Sequence, residues 1–236
     1  MNDPAPTISY PSPAERYQFK PFIGSSHHWA IAHCLGLPAS SRVLDIGAGP
    51  GVIGAVLLQN GFRQLSAVEI DAQARTQAQS IYQRVAPNID PFQNEKFDLI
   101  LLLDILEHLS NPFEFFGKVA SMLDRQGTIL VSVPNIAHWS VRLPLLFGLF
   151  EYANRGILDR THLQFFTRRR FKQLLSSLPE LAVFDMSASI EPAEFVLPRF
   201  VWNNAAYRGV ARMRSALAHH LPGFFAYQHL AALRKM

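Results

Sequence analysis

The chain has 236 residues, 49% of them hydrophobic and 17% charged, enough to bury the core of one enzyme-sized domain. The apolar run Leu143 to Phe150 is too short to cross a bilayer, and the polar start Met1 to Tyr10 does not read as a secretory signal. Cys34 is the lone cysteine, which excludes an intrachain disulfide and makes a reducing, cytoplasmic setting the expectation.

Residues 1–24, with Pro4, Pro6, Pro11, Pro13 and Pro21, read as an N-terminal arm whose Tyr17, Phe19 and Phe22 could fold over a ligand or pack on the surface. A helix is expected from Ser25 to Leu35. Val43-Leu44-Asp45-Ile46-Gly47-Ala48-Gly49-Pro50-Gly51 is then an apolar strand that breaks into alternating glycines, followed by a helix from Val52 to Asn60 closed by Gly61. Glycines in that position let the backbone turn sharply and approach a nucleotide-like ligand closely. A second strand, Leu65 to Ile70, ends in Glu69, the acid placed about 20 residues beyond the glycines where a ribose diol is held.

Two cofactor patterns overlap here, DxGxGxG from Asp45 to Gly51 and the dinucleotide form GxGxxG from Gly49 to Gly54. Asp45 and Gly47 interrupt the apolar run that a dinucleotide strand needs, and Pro50 removes an N–H from the anion-binding turn, which weighs against a nicotinamide cofactor and an oxidoreductase.

Ala72 to Gln83 reads as a helix, and Arg84 to Asp90 as a poor strand because it contains Pro87. Phe97 to Leu103 is a buried strand with almost no polar alternation. Asn111, Pro112 and Glu114 have the spacing of a helix start, and Gly127 precedes a strand from Thr128 to Val133. Strands that alternate with helices predict a doubly wound α/β sheet, with ligands at the carboxyl ends of its strands. Asp104 and Asn135 fall at such ends, and a helical turn after the Phe97–Leu103 strand would bring Asp104, Glu107 and His108 onto one face. His162 follows the next strand and reaches the same rim.

The first motif, Val43 to Gly51 with Glu69, resembles that of the class I S-adenosylmethionine-dependent methyltransferases. The resemblance continues through Phe97 to Leu109, Val133-Pro134-Asn135 and Asp159 to Thr167, so that it covers roughly residues 40 to 180. It implies a Rossmann-like, seven-stranded, mostly parallel sheet with an antiparallel last strand and a small substrate cap, in one domain over residues 1–236. It also implies S-adenosylmethionine as cofactor, bound by Asp45, Gly47, Gly49, Gly51, Glu69, Ile70, Asp90 and Asp104. Glu107, His108 and His162 become the catalytic candidates, because the acid, Glu-His and later His look like the ubiquinone-biosynthesis O-methyltransferases and the small-RNA terminal 2′-O-methyltransferases. In those groups these positions are associated with a divalent metal; this chain has Asp104 where they commonly have Glu. An imidazole acting alone as general base, and a structural role for the cluster, are the alternatives.

Residues 136–166 and 191–222 are the expected cap insertions, with His138, Trp139, Phe147, Phe150, Tyr152, Phe165 and Phe166 as aromatic surface. Residues 1–136 carry a net −3 and residues 137–236 a net +7, and Arg168 to Arg170 crowd a helix start where the macrodipole disfavours cations. The basic half suggests an anionic or membrane-surface partner, with a basic helix from Phe200 to His219 and a final strand from Phe224 to Leu233; nucleic acid is a lesser alternative. The expected activity is O-methylation of a hydroxyl on a small molecule, quinone or glycan, against a non-catalytic cofactor-binding module of the same fold.

Overall fold

The computed structural model describes residues 24–191 and 205–236, with side chains from 209 onward in the second stretch. In chain order the elements are α1 (Ser26–Leu35), β1 (Val43–Ile46), α2 (Val52–Gln59), β2 (Leu65–Val68), α3 (Ala72–Ala78), β3 (Arg84–Ala86), β4 (Phe97–Leu103), α4 (Pro112–Ser121), β5 (Leu123–Pro134), α5 (Trp139–Leu146), α6 (Arg168–Leu175), β6 (Leu181–Ser189), α7 (Ala205–His220), α8 (Pro222–Phe225) and β7 (Gln228–Lys235). The seven strands form one sheet in the order β3-β2-β1-β4-β5-β7-β6. β1 through β5 pair in parallel, and β7 runs antiparallel to both β5 and β6.

The sheet is apolar on both faces, as parallel strands covered by helices require. Because successive side chains point to opposite faces, Leu44, Ile46, Ile100 and Leu102 pack with Phe116 and Val119 of α4 and Phe171 and Leu174 of α6. Val43, Leu99, Leu101 and Leu130 pack with Ala30 and Cys34 of α1 and Ile53 and Leu57 of α2. Asp45 lies between two residues of the first face, so its side chain belongs to the second, a position that an apolar residue would ordinarily fill. Strand order reverses between β1 and β4, and the loops after both strands open on one crevice.

Five helix starts use the side chains that their sequences offer. Ser25, Asp71, Asn111, His138 and Thr167 accept from the backbone N–H groups of His28, Ala74, Glu114, Ser140 and Arg170.

Several boundaries differ from expectation. α3 stops at Ala78 rather than Gln83, because the chain must turn back for Gln83 N–H to reach the Leu65 carbonyl at 2.9 Å beside β2. Arg84–Ala86 is a true strand: it ends before Pro87 and lies at the sheet edge, so the proline removes no ladder hydrogen bond. β5 begins at Leu123, where the Phe97↔Leu123 pairing shifts to Leu99↔Thr128, and the intervening Gly127 has no room for a Cβ against the Leu123 side chain. β7 begins at Gln228, since Pro222 starts the short helix α8 instead. The arm with Tyr17, Phe19 and Phe22 lies outside the described residues, as do the start of the expected basic helix and residues 192–204 of the second cap insertion.

Phe116 is fully buried at the centre of the α4 face of the core. Phe116→Ala is expected to lower the unfolding free energy by about 3–5 kcal/mol, read from the midpoint of a denaturant titration.

Candidate active site

β1 ends at Ile46, and the backbone then folds over the end of β2. The N–H groups of Gly47 and Ala48 both donate to the Val68 carbonyl, at 2.8 and 3.2 Å. Gly47 (φ +78°), Gly49 (+55°) and Gly51 (+93°) all lie in the left-handed region that side-chain-bearing residues rarely adopt. A Cβ on Gly47 would also collide with the Ile105 side chain, so the glycine loop is packed directly against the segment that follows β4.

Glu69, at the end of β2, is buried and locked in place from two sides. Its Oε2 accepts from the Gly49 N–H at 2.7 Å and its Oε1 from the Asp71 N–H at 2.8 Å. Each carboxylate oxygen has two acceptor positions, so one remains on each for a diol. Ile70 stands 85% exposed beside it, an apolar surface open to solvent at the rim.

Asp45 meets a partner that spacing in the sequence did not suggest. The Tyr82 hydroxyl donates to its Oδ2 at 2.5 Å, while the same oxygen of Tyr82 accepts from the Gly54 N–H at 3.1 Å. Burial pushes the Asp45 carboxyl up to about 6, the Glu69 charge adding to the effect and the Tyr82 hydrogen bond opposing it. Asp45 thereby anchors the first turn of α2 under the glycine loop. Asp90 is exposed, accepts from the Gln93 side-chain amide at 2.7 Å, and lies within electrostatic reach of Lys118 on α4.

The turn after β4 is a 3-10 turn, Leu106–His108, and it changes the expected grouping of acids. Asp104 adopts φ +56°, the one such conformation among the described non-glycine residues, and its carboxylate turns towards β5 and β7. Its Oδ1 accepts from the Ser132 hydroxyl at 2.6 Å and its Oδ2 from the Gln228 side-chain amide. Asp104 therefore does not join Glu107 and His108 on one face as the helical spacing suggested. Gln228 is itself held by the Ser189 hydroxyl at 2.7 Å, so Asp104 terminates a polar chain across β4, β7 and β6.

Glu107, His108 and His162 do come together, with ligand-capable atoms all within 4.8 Å of one another. The Leu163 and Gln164 N–H groups donate to the Glu107 carbonyl at 2.8 and 2.9 Å, which ties the segment containing His162 to the turn. The two imidazole rings meet edge to face with centroids 4.8 Å apart. His162 Nδ1 lies 3.0 Å from the Ile157 carbonyl and His108 Nδ1 lies 3.2 Å from the Thr161 carbonyl. A carbonyl only accepts, so Nδ1 carries the proton in each neutral ring and Nε2 carries the lone pair. Burial, with help from the neighbouring His108, holds His162 below the ordinary histidine range.

Asn135 lies at the end of β5 but serves as a bolt, donating to the Ala226 carbonyl at 2.8 Å and accepting from the Ala137 N–H at 3.0 Å. Beside it His138, read from sequence only as aromatic surface, is fully buried and caps α5, and burial lowers it to about 4. Tyr82, Ser132, Gln228 and His138 carried no motif signal. Each acts through contacts made only when distant strands align.

Comparison with known proteins places the chain in a family. A family model described as a methyltransferase domain matches residues 29–178, which span the glycine loop, Glu69, Asp104 and the Glu107–His108–His162 cluster. A ubiquinone biosynthesis O-methyltransferase of Bradyrhizobium diazoefficiens is 29% identical over 139 residues, 55% of this chain and 52% of that protein. A demethylmenaquinone methyltransferase of Tropheryma whipplei is 31% identical over 113 residues, 44% of this chain and 47% of that protein. The chain thus spans about half the length of the curated relatives it matches. A SAM-dependent methyltransferase structure from Archaeoglobus fulgidus has the same fold, with a TM-score of 0.57 at 16% identity over 89% of this chain and 94% of that one. So does the magnesium protoporphyrin IX methyltransferase of Synechocystis with bound SAH, with a TM-score of 0.58 at 15% identity over 89% of this chain and 84% of that one. Since the matched stretch covers more than half the sequence, the chain belongs to the methyltransferase domain family.

Proposed function

We propose that the protein is an S-adenosylmethionine-dependent methyltransferase that delivers the methyl group to a hydroxyl oxygen of a small molecule. The observation that carries this reading is the packing of Gly47 against Ile105, which sets a ribose-type carboxylate, Glu69, and a basic cluster, Glu107–His108–His162, on either side of one loop contact. The name of one relative, a ubiquinone biosynthesis O-methyltransferase, favours an oxygen of a quinone precursor over a glycan.

The residues fit the cofactor class. Glu69 offers two free acceptor positions to a ribose diol, Ile70 offers an exposed apolar face to an adenine ring, and the left-handed glycines admit a methionine moiety against bare backbone. Gly47, Gly49 and Gly51 contribute space, their N–H groups being committed to the Val68 carbonyl, the Glu69 carboxylate and the Ala48 carbonyl, Asp45 contributes the stiffness of the loop's floor, and Asp104 holds the ends of β4 and β7 together behind it. S-adenosylmethionine supplies a methyl group on a sulfonium, a good leaving group, so the chain's main task is to orient the acceptor. Such positioning can be worth up to about 7–11 kcal/mol.

A hydroxyl acceptor must also lose its proton. His162 is suited to take it, because its Nδ1–H is committed to the Ile157 carbonyl and its lowered basicity leaves Nε2 unprotonated at neutral pH. One carboxylate and two imidazoles are also a fitting donor set for a divalent cation. Glu107, His108 and His162 would hold such an ion, whose chemistry there would be to lower the acceptor hydroxyl's pKa.

Calorimetric titration with S-adenosylmethionine is expected to show saturable binding that Glu69→Gln weakens at least about tenfold, the loss of a charge-assisted bond. Absence of binding to the wild-type chain would overturn the assignment. Tyr82→Phe is expected to cost about 1–3 kcal/mol of stability by leaving the Asp45 carboxylate without its donor, which a thermal melt will register. With a hydroxylated quinone precursor as acceptor, His162→Ala should lower turnover about 10²–10⁴-fold while cofactor affinity is retained. In the wild type the acid limb of the rate profile should fall below the ordinary histidine value of 6.5, since His162 becomes charged only there. Cofactor binding without turnover on any hydroxylated acceptor would instead indicate a non-catalytic module.

A further inference from the structure

The apolar run Leu143 to Phe150 is not core. Every residue from Leu145 to Gly156 is exposed, with Leu146 at 77% and Phe147 at 81%. α5 ends there in an ordered turn: the Phe147 and Leu149 N–H groups both donate to the Pro144 carbonyl, and Gly148 adopts φ +73° with no other atom within 4 Å of where its Cβ would lie. The base of this projection is closed by the Ala153 N–H donating to the Leu158 carbonyl at 2.8 Å and the Arg160 N–H to the Ala153 carbonyl at 3.1 Å. It is therefore a built protrusion whose tip presents Leu145, Leu146, Phe147, Leu149 and Phe150 to solvent. A contiguous apolar surface of this kind marks a docking site.

The charge around the tip identifies its occupant. Residues 137–175 hold seven Arg and Lys against two acids, while the rest of the chain holds 15 against 16, so this segment carries all of the molecule's net positive charge. Of the two acids, Asp159 is engaged by the Thr161 N–H and hydroxyl. Phe150 meets the Phe165 ring at 6.5 Å, two residues ahead of the N-cap of α6, so the tip adjoins the cationic end of that helix. There Arg168, Arg169 and Lys172 line a shallow open hollow. A second copy docked on the same patch would bring these cations against their own images, which is repulsive. An anionic bilayer supplies both an apolar phase for the tip and phosphates for the rim.

We propose that the Leu145–Phe150 tip inserts into the interface of an anionic phospholipid membrane, with Arg168, Arg169 and Lys172 seated among the headgroups. The attachment proposed is peripheral, and no helix among the described residues is long and apolar enough to cross a membrane. The proposal goes beyond the methyl-transfer reading and does not depend on it. It does place the mouth of the His162 segment, which follows directly on the protrusion, next to the lipid phase.

The test is cosedimentation of the full chain with vesicles of phosphatidylcholine, with and without phosphatidylglycerol, at low and physiological ionic strength. The wild type should pellet with the phosphatidylglycerol vesicles and not with phosphatidylcholine alone. The double substitution Leu146→Ser with Phe147→Ser should reduce partitioning at least about tenfold, and Arg169→Glu with Lys172→Glu about fivefold per charge removed. All four side chains are exposed, so an unchanged melting temperature will confirm that the variants are folded. Failure of the wild type to pellet at low ionic strength, or equal pelleting of the Leu146→Ser, Phe147→Ser variant, would overturn the proposal. So would a concentration-dependent dimer that this variant disperses, since the occupant would then be a second copy. Glu69→Gln should pellet like the wild type, which separates this result from any failure of cofactor binding.

Discussion

The hydrogen bond from the Gly49 N–H to the Glu69 carboxylate is the contact on which the crevice depends. It joins the loop after β1 to the end of β2, and it forms only because three residues of that loop adopt left-handed backbone angles that bring an amide within 2.7 Å of a buried acid. A buried carboxylate is costly unless its oxygens are satisfied, and here two backbone amides satisfy one each. The same pair fixes where a ribose-binding group points before any ligand arrives, so the binding geometry is preorganised.

Beneath that bond, the floor of the crevice is electrostatically expensive. Asp45 and Glu69 are both buried, and their mutual repulsion contributes to the raised Asp45 value of about 6. Tyr82 makes the arrangement tolerable by donating to Asp45 while accepting from Gly54, so a single hydroxyl links strand, helix and loop. On the other side of the crevice, Asp104 receives the equivalent support from Ser132 and Gln228. Both acids brace the ends of β1 and β4, the two neighbouring strands between which strand order reverses. The two imidazoles are then held beside one another, because the Glu107 carbonyl accepts two N–H groups from the segment that carries His162.

Much of the fold was legible because it rests on local rules. Alternation and apolar runs marked β1, β2, β4 and β5, and Asn111 announced its helix because capping is a bond between residues three apart. The elements that misread were those set by distant partners. β3 is a strand because β2 lies beside it, β5 starts early because Phe97 pairs with Leu123, and β7 starts late because α8 forms first on Pro222. In the candidate site, the glycines, Glu69, Glu107, His108 and His162 were readable from motif spacing. Asp104 was placed in the wrong company, because spacing assumes a regular helix and the chain makes a 3-10 turn after a left-handed residue.

The sequence by itself determined the chemistry available: a glycine loop with an acid on either side, an imidazole pair 54 residues apart, and a basic second half. Those features depend on residue type and short-range order, which the chain states directly. Tertiary structure alone decided which groups share a surface. It assigned Tyr82 to Asp45 and Gln228 to Asp104, and left Leu145 and Leu146 in solvent although their apolar run would ordinarily be read as core. Contact between distant residues is fixed by strand register and loop closure, and neither is encoded at any single position.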